Sequence, residues 1–175
     1  MAKASFSKLQ LKVDTSVKTI LYKGEEIEVR QYLPIQEKID LVTNVINASV
    51  VDGVSYYNPI SLSMFEYLYT IFAYTNINFT DKQKEDLAGL YDKLISSELS
   101  DKIFDAIPAD ELEIIHEYLE ATVDSIYTYN QSALGILDSI QQDYSDLKFD
   151  TDVLYDKLAD KNNLSVVRDV LTKLG

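Results

Sequence analysis

The sequence of 175 residues contains no cysteine and no tryptophan, and it has only one histidine, three prolines and five glycines. The absence of cysteine excludes a disulfide framework, a thiolate metal site and a cysteine nucleophile. The scarcity of glycine and proline favours long regular elements over loops. No run approaches 18 uninterrupted apolar residues, which predicts that no segment spans a membrane. The first residues lack the apolar core of a secretory signal, so we expect a protein that is cytoplasmic where it is made.

The composition is that of a folded but strongly acidic protein. Hydrophobic residues make up 46% of the chain, which is enough for a core, and the length suggests one domain. Residues 1–50 carry 7 Lys/Arg against 6 Asp/Glu, whereas residues 51–175 carry 9 against 23, a net charge of −14. Such a surface repels a phosphate backbone, so we expect no nucleic-acid partner. A basic partner would fit it, although plain solubility is the simpler explanation of the charge.

Residues 1–33 are predicted to form a small antiparallel sheet of two or three strands, packed on the rest of the protein. The strand segments are 5–13, 17–22 and 26–32. In the first segment Leu9, Leu11 and Val13 alternate with polar residues, the pattern of a half-buried strand. A β-hairpin turn falls at residues 23–25, because Gly24 tolerates a positive φ.

Residues 34–175 are predicted to form a helical bundle, so the expected fold class is α+β and mostly α. The helical segments are 34–52, 59–74, 81–95, 99–106, a long helix at about 108–144, and two short helices after residue 151. In the first helix Ile35, Ile39 and Val42 lead the apolar face. The second helix is apolar all round apart from Glu66, which predicts the buried centre of the core.

The long helix carries apolar or small residues mostly three or four apart from Leu112 to Ile140, the period of one helix face. At 1.5 Å per residue, about 37 residues would form a rod of roughly 55 Å. Gly135 and the polar segment 128–132 lower its helix propensity, glycine by up to about 1 kcal/mol. One continuous helix with a weak point there is the prediction, and a broken pair of helices is the alternative.

Candidate chemistry is confined to one histidine and several carboxylate clusters. His116 has Glu120 four residues further on, so a surface ion pair is the simplest interpretation. The acidic clusters within 110–113, 117–120 and 143–152 are interpreted as helix starts and solvated faces, and the last does not match a calcium-binding EF-hand loop. No phosphate-binding loop, nucleophile elbow or zinc-protease motif is present. We therefore expect no catalytic residue, no cofactor, no metal site and no enzymatic activity.

Tyrosine is the unusually frequent residue, with 13 copies. Most fit the edge of a core with the hydroxyl in water, but tyrosine is also common at protein interfaces. Tyr56 and Tyr57 fall in a predicted loop, where a core does not explain them. The segment Tyr56, Tyr57, Asn58 and Pro59 is therefore the candidate protein-contact surface.

Several stretches together resemble a family of small proteins encoded among the virion morphogenesis genes of tailed bacteriophages and prophages, mostly of Gram-positive hosts. They are 29–34 (Val-Arg-Gln-Tyr-Leu-Pro) with Lys38, 56–59 (Tyr-Tyr-Asn-Pro), 74–77 (Tyr-Thr-Asn-Ile) with 79–80 (Phe-Thr), 82–86 (Lys-Gln-Lys-Glu-Asp), and 158–175 with Leu-Ala-Asp, Asn-Asn-Leu and Val-Leu-Thr-Lys-Leu-Gly. The resemblance spans nearly the whole chain. Within that setting the protein is similar to tail assembly chaperones, which are small, acidic and largely helical.

This resemblance implies a non-enzymatic assembly factor that coats the hydrophobic tape measure protein and recruits tail tube subunits. It would act in the host cytoplasm during assembly, and it would bind other phage structural proteins. The first alternative is a structural component that stays in the virion, at the neck, portal or capsid surface. The second is a host-directed regulator that binds a basic host protein. The sequence is also compatible with a homo-oligomer.

Overall fold

The computed structural model describes residues 5–50, 57–132 and 135. Within these ranges it confirms the predicted α+β class, with a two-stranded antiparallel sheet followed by six α-helices. The elements are β1 (Val17–Tyr22), β2 (Glu25–Arg30), α1 (Ile35–Ser49), α2 (Pro59–Tyr74), α3 (Asp81–Glu85), α4 (Leu87–Ile95), α5 (Glu98–Phe104) and α6 (Ala109–Gln131). The chain divides into two compact units, of which the first ends at Ser125 and the second begins at Ile126. The helices predicted after residue 151 lie outside the described residues.

The sheet is the predicted hairpin, closed by Lys23 and Gly24. Both turn residues have a positive φ, 51° and 90°, the combination that a type I′ turn requires. The register pairs Tyr22 with Glu25 beside the turn. On β2 the inward side chains belong to Ile27 and Val29, which are 7% and 0% exposed.

The third strand predicted within residues 5–13 does not form. Phe6–Leu9 is instead a single turn of 3-10 helix, and residues 10–16 have no regular structure. Gln10 has a left-handed φ of 51°, which interrupts an extended run. Asp14 accepts a hydrogen bond from the Ser16 backbone N–H at 2.8 Å and turns the chain into β1.

Helices α1 and α2 pack against each other at the centre of the core. The prediction that α2 is a central core helix holds for its second half, where Leu68, Ile71 and Tyr74 are fully buried. At its first turn, in contrast, Ile60 is 82% exposed. The Asn58 side chain accepts hydrogen bonds from the backbone N–H groups of residues 60 and 61, and Pro59 occupies the first helical position.

The predicted buried face of α1 is wrong at its start. Ile35 and Ile39 are 55% and 49% exposed, whereas Lys38 and Leu41 are 4% and 3% exposed. The Lys38 amino group instead reaches a carboxylate inside the core. The predicted position Val42 is buried, together with Val45 and Ile46 further along the helix.

That carboxylate belongs to Glu111, in the first turn of α6. It accepts hydrogen bonds from Lys38 Nζ at 2.7 Å, the Tyr74 hydroxyl at 2.8 Å and the Leu33 backbone N–H at 3.0 Å. Glu111 is 5% exposed, so its interpretation as part of a solvated acidic cluster is wrong. Burial and the hydrogen bond to Glu111 raise the pKa of Tyr74. Every polar atom of this group is paired, as a buried network requires.

The helix predicted over residues 81–95 is two helices, α3 and α4. Asp86 leaves the helical region, with φ −114° and ψ 68°, and its carboxylate accepts a hydrogen bond from the Gly89 backbone N–H at 3.0 Å. This local side-chain bond starts α4 and ends α3. A capping box forms at the start of α3, where Thr80 and Gln83 have the three-residue spacing that this motif requires.

Helix α6 runs from Ala109 to Gln131, inside the predicted range of 108–144. Its end falls in the segment 128–135 that the sequence marks as weak. Residues 133–134 and 136–144 lie outside the described part, so the choice between one long helix and two stays a prediction. In the first unit α6 buries Ile115 and Leu119, which are 1% and 2% exposed.

Candidate protein-binding surface

Six exposed large apolar side chains lie within residues 5–21. They are Phe6, Leu9, Leu11, Val13, Val17 and Leu21, with exposed fractions from 46% to 76%. The first four belong to residues 5–16, which we call the N-terminal arm. A monomer seldom leaves so many apolar side chains of one region in water, and such regions usually contact another molecule.

The outer edge of β1 is an open strand edge. In a two-residue hairpin the pair beside the turn is hydrogen-bonded, so Val17, Thr19 and Leu21 direct their backbone groups away from β2. Of these groups, only the Leu21 carbonyl has a hydrogen bond within the described ranges, from Lys102 Nζ at 3.4 Å. An open edge of this kind can pair with an added strand.

The outer edge of β2 is covered, in contrast to that of β1. The Asn76 backbone N–H donates to the Glu28 carbonyl at 3.2 Å, and the Glu28 backbone N–H donates to the Asn76 side-chain oxygen at 3.1 Å. Val29 also forms an isolated bridge with Thr75. The hairpin can therefore be extended at β1 but not at β2.

The N-terminal arm differs in charge from the acidic remainder. Residues 1–13 contain Lys3, Lys8 and Lys12 and no acidic residue. Lys8 and Lys12 are exposed, and no ion pair involves either of them in the part of the chain that the structure describes. The arm therefore combines free apolar side chains with free positive charge.

Sequence reasoning missed this surface because the alternation of Leu9, Leu11 and Val13 also fits a half-buried strand. The alternation shows which side chains share a face, but it does not show whether a partner in the same chain covers that face. The charge pattern was the signal in the sequence that could have indicated this surface. A basic, acid-free segment at the start of an acidic chain is unusual for a strand that pairs within its own domain.

The predicted contact segment at residues 56–59 is placed only in part. Tyr56 lies outside the described residues. Tyr57 is half-buried, forms an isolated backbone bridge with Val50, and has a hydroxyl whose pKa is raised by burial. Asn58 and Pro59 start α2, so they have a structural role of their own. Whether this segment also contacts a partner stays a prediction.

His116 lies at the rim of a cavity of about 440 Å³ lined by α2, Phe104 and α6. Its Nδ1 is 3.0 Å from a carboxylate oxygen of Glu66 on α2, and its Nε2 is 3.4 Å from Glu120. The predicted pair with Glu120 is present, but Glu66 was not expected and lies closer. The hydroxyl of Tyr67, which also lines the cavity, is buried, and burial raises its pKa.

We expect His116 to titrate above its usual pKa of about 6.5. The hydrogen bond and charge of Glu66 raise the pKa, and Glu120 adds to the effect. Because the folded pKa is the higher one, the stabilising effect of the pair is full below about pH 6.5 and is lost as pH rises through the folded value. An NMR titration of the imidazole protons measures this directly, since the chain has one histidine.

Glu66→Gln should lower the midpoint of that titration more than Glu120→Gln does. Glu117→Gln is the matched control on the same helix, because Glu117 is exposed and makes no ion pair among the described residues. An unchanged midpoint in Glu66→Gln would show that the contact between His116 and Glu66 does not persist in solution.

Neither a metal cluster nor a membrane helix is found in the described part of the chain. No group of three or more His, Asp or Glu side chains there could hold a metal ion. No described helix combines the length and the hydropathy that crossing a bilayer requires.

No protein-family model, curated protein or solved structure matches the chain.

Proposed function

We propose that the protein is a non-enzymatic assembly factor of a tailed bacteriophage, similar to tail assembly chaperones. It would bind apolar segments of the tape measure and tail tube proteins in the host cytoplasm before they assemble. The observation that carries this proposal is the exposed apolar N-terminal arm on a strongly acidic protein. The resemblance of the sequence to phage morphogenesis proteins supplies the setting.

The apolar arm and the negative charge of the protein would have complementary effects on an aggregation-prone partner. Apolar side chains such as Leu9 and Leu11 would cover exposed apolar surface of the partner, which gains about 25 cal/mol for each Å² buried. The net charge of −13 would keep the complex soluble and prevent it from associating further. A chaperone for a subunit that polymerises needs both effects.

Co-expression with tape measure and tail tube proteins of a tailed phage that carries this gene tests the proposal. The protein should raise the soluble fraction of the tape measure protein and co-purify with it. The variant Leu9→Ser/Leu11→Ser/Val13→Ser should lose this effect, since about 1 kcal/mol for each side chain weakens binding by roughly 100-fold. Pull-down followed by densitometry measures the change.

The matched control is Ile35→Ser/Ile39→Ser/Ile60→Ser, which removes three other exposed apolar side chains and leaves the arm intact. It should retain partner binding. Equal loss in both variants would show that general apolar exposure, and not the arm, is responsible. Mass spectrometry of purified virions distinguishes the two roles: a protein present in many copies would be a structural component and not a chaperone.

A further inference from the structure

The geometry points to a second copy of this chain as a ligand of the open β1 edge: each N-terminal arm adds as a strand to β1 of its partner copy. This inference concerns the free protein and goes beyond the proposed function. Only the role of the resulting dimer as a storage form rests on that function, because the same apolar side chains would be covered until a client displaces them.

The arm and the edge match in length. Residues 9–13 in extended form would cover about 16 Å, and the six residues of β1 span about 20 Å. Every one of the three alternating apolar side chains, Leu9, Leu11 and Val13, is at least 55% exposed in the isolated chain. The arm thus has the pattern of a strand but lacks the neighbouring strand that this pattern needs.

The faces also match. Val17 and Leu21 are the exposed apolar side chains on the outer face of β1, with Thr19 between them. A strand added at this edge with Leu11 on the same face would join the apolar side chains of both strands into one continuous stripe. Contact between neighbouring side chains of the two strands favours the pairing, and the backbone groups of Thr19 gain hydrogen bonds.

The charges beside the β1 edge are mixed. With Leu11 on the outer face, alternation places Lys8 and Lys12 on the opposite face of the added strand. Helix α5 contacts β1, and the exposed carboxylates of Asp101 and Asp105 lie in this helix and directly after it. Two lysines also lie there, with Lys18 Nζ and Lys102 Nζ each 3.4 Å from a backbone carbonyl, so Asp101 and Asp105 are the groups that a basic arm would contact.

A turn at Asp14 separates the arm from the β1 edge of its own chain. The Ser16 backbone N–H donates to the Asp14 carboxylate, and the Ser16 carbonyl accepts from the Gln31 backbone N–H at 3.1 Å. Hairpin pairing thus extends to Ser16, and among the described residues no backbone hydrogen bond joins the arm to its own β1 edge. An arm separated in this way is suited to exchange between two copies.

Cysteine cross-linking of the full chain tests the inference without any client, and the native sequence has no cysteine to interfere. Leu11 and Thr19 lie at the centres of the arm and of β1, so a disulfide between them does not depend on the direction of the added strand. Mixing the Leu11→Cys chain with a tagged Thr19→Cys chain should give a cross-linked heterodimer under mild oxidation. The Lys12→Cys chain is the matched control, because its side chain would face away from Thr19, and it should cross-link several-fold more slowly.

Sedimentation equilibrium of the unmodified protein should show a mass of two chains, and the variant Leu9→Ser/Leu11→Ser/Val13→Ser should have the mass of one. A wild-type monomer at all concentrations would overturn the inference. A disulfide formed within one chain of the Leu11→Cys/Thr19→Cys variant at high dilution, without a dimer, would also overturn it. If the protein is a dimer but does not keep the tape measure protein soluble, only the proposed function is refuted. If it is a monomer that keeps the tape measure protein soluble, only the exchange of arms between two copies is refuted.

Discussion

Replacing Glu111 by glutamine is expected to lower the free energy of unfolding by about 3–5 kcal/mol, the cost of leaving a buried charge without its partner. The Lys38 side chain is 5% exposed, so its ammonium group cannot turn to water without disrupting the core. The glutamine amide oxygen can still accept a hydrogen bond from Tyr74 or from the Leu33 backbone N–H, but it cannot neutralise the ammonium. Denaturant unfolding followed by circular dichroism at neutral pH measures the loss.

Two further variants separate this effect from a general loss of charge. Glu117→Gln removes an exposed carboxylate from the same helix and should change stability by less than about 0.5 kcal/mol. Lys38→Met combined with Glu111→Gln removes the unpaired ammonium as well and should recover part of the loss, so the two substitutions are not additive. A single Glu111→Gln variant as stable as the wild type would show that Lys38 reaches solvent.

The same network makes stability sensitive to acid. Burial alone would raise the pKa of Glu111, but the hydrogen bonds from Lys38, the Leu33 backbone N–H and Tyr74 outweigh burial and hold the pKa below its usual value. Because the folded pKa is the lower one, the stabilisation is present above about pH 4.3 and is lost as pH falls through the folded value. Glu111→Gln should therefore lose less stability than the wild type between neutral pH and about pH 3.

Leu119→Ala is expected to lower the free energy of unfolding by about 2–5 kcal/mol, the range for a buried leucine that leaves a cavity. Leu119 is 2% exposed and lies one turn after Ile115 on the buried face of α6. Alanine has the higher helix propensity, so the loss would come from packing and not from the helix itself. Thermal and denaturant unfolding measure it.

Leu21→Ala is the matched control, because the same atoms are removed from a side chain that is 62% exposed. It should change the stability of the monomer by less than about 0.5 kcal/mol. If Leu119→Ala were equally mild, α6 would not pack on the first unit in solution.

Elements that depend on neighbouring residues were predictable from the sequence. The hairpin turn follows from Gly24 and its flanking alternation, and the start of α3 follows from the capping spacing of Thr80 and Gln83. Helix α2 begins where Pro59 fits the first helical position. In each case the decisive interactions span four residues or fewer.

Features that depend on distant residues were not predictable. The burial of Lys38 in the first turns of α1 accompanies its bond to Glu111, which is 73 residues away along the chain. Nothing in the sequence around Lys38 indicates that a lysine, and not Ile35 or Ile39, enters the core. The break at Asp86 is local, but an aspartate inside a helical pattern more often lies on the solvated face. For the candidate surface, the sequence shows the alternation of apolar residues in the N-terminal arm, but it does not show that these side chains are exposed.

The Glu111 network has a consequence for synthesis on the ribosome. Lys38, Leu33 and Tyr74 emerge well before Glu111, with separations of 37 to 78 residues along the chain. Before Glu111 emerges, the Lys38 ammonium, the Tyr74 hydroxyl and the Leu33 backbone N–H lack the carboxylate that they share in the folded protein. This network forms only after the start of α6 has left the exit tunnel, which couples completion of the core to a late stage of translation.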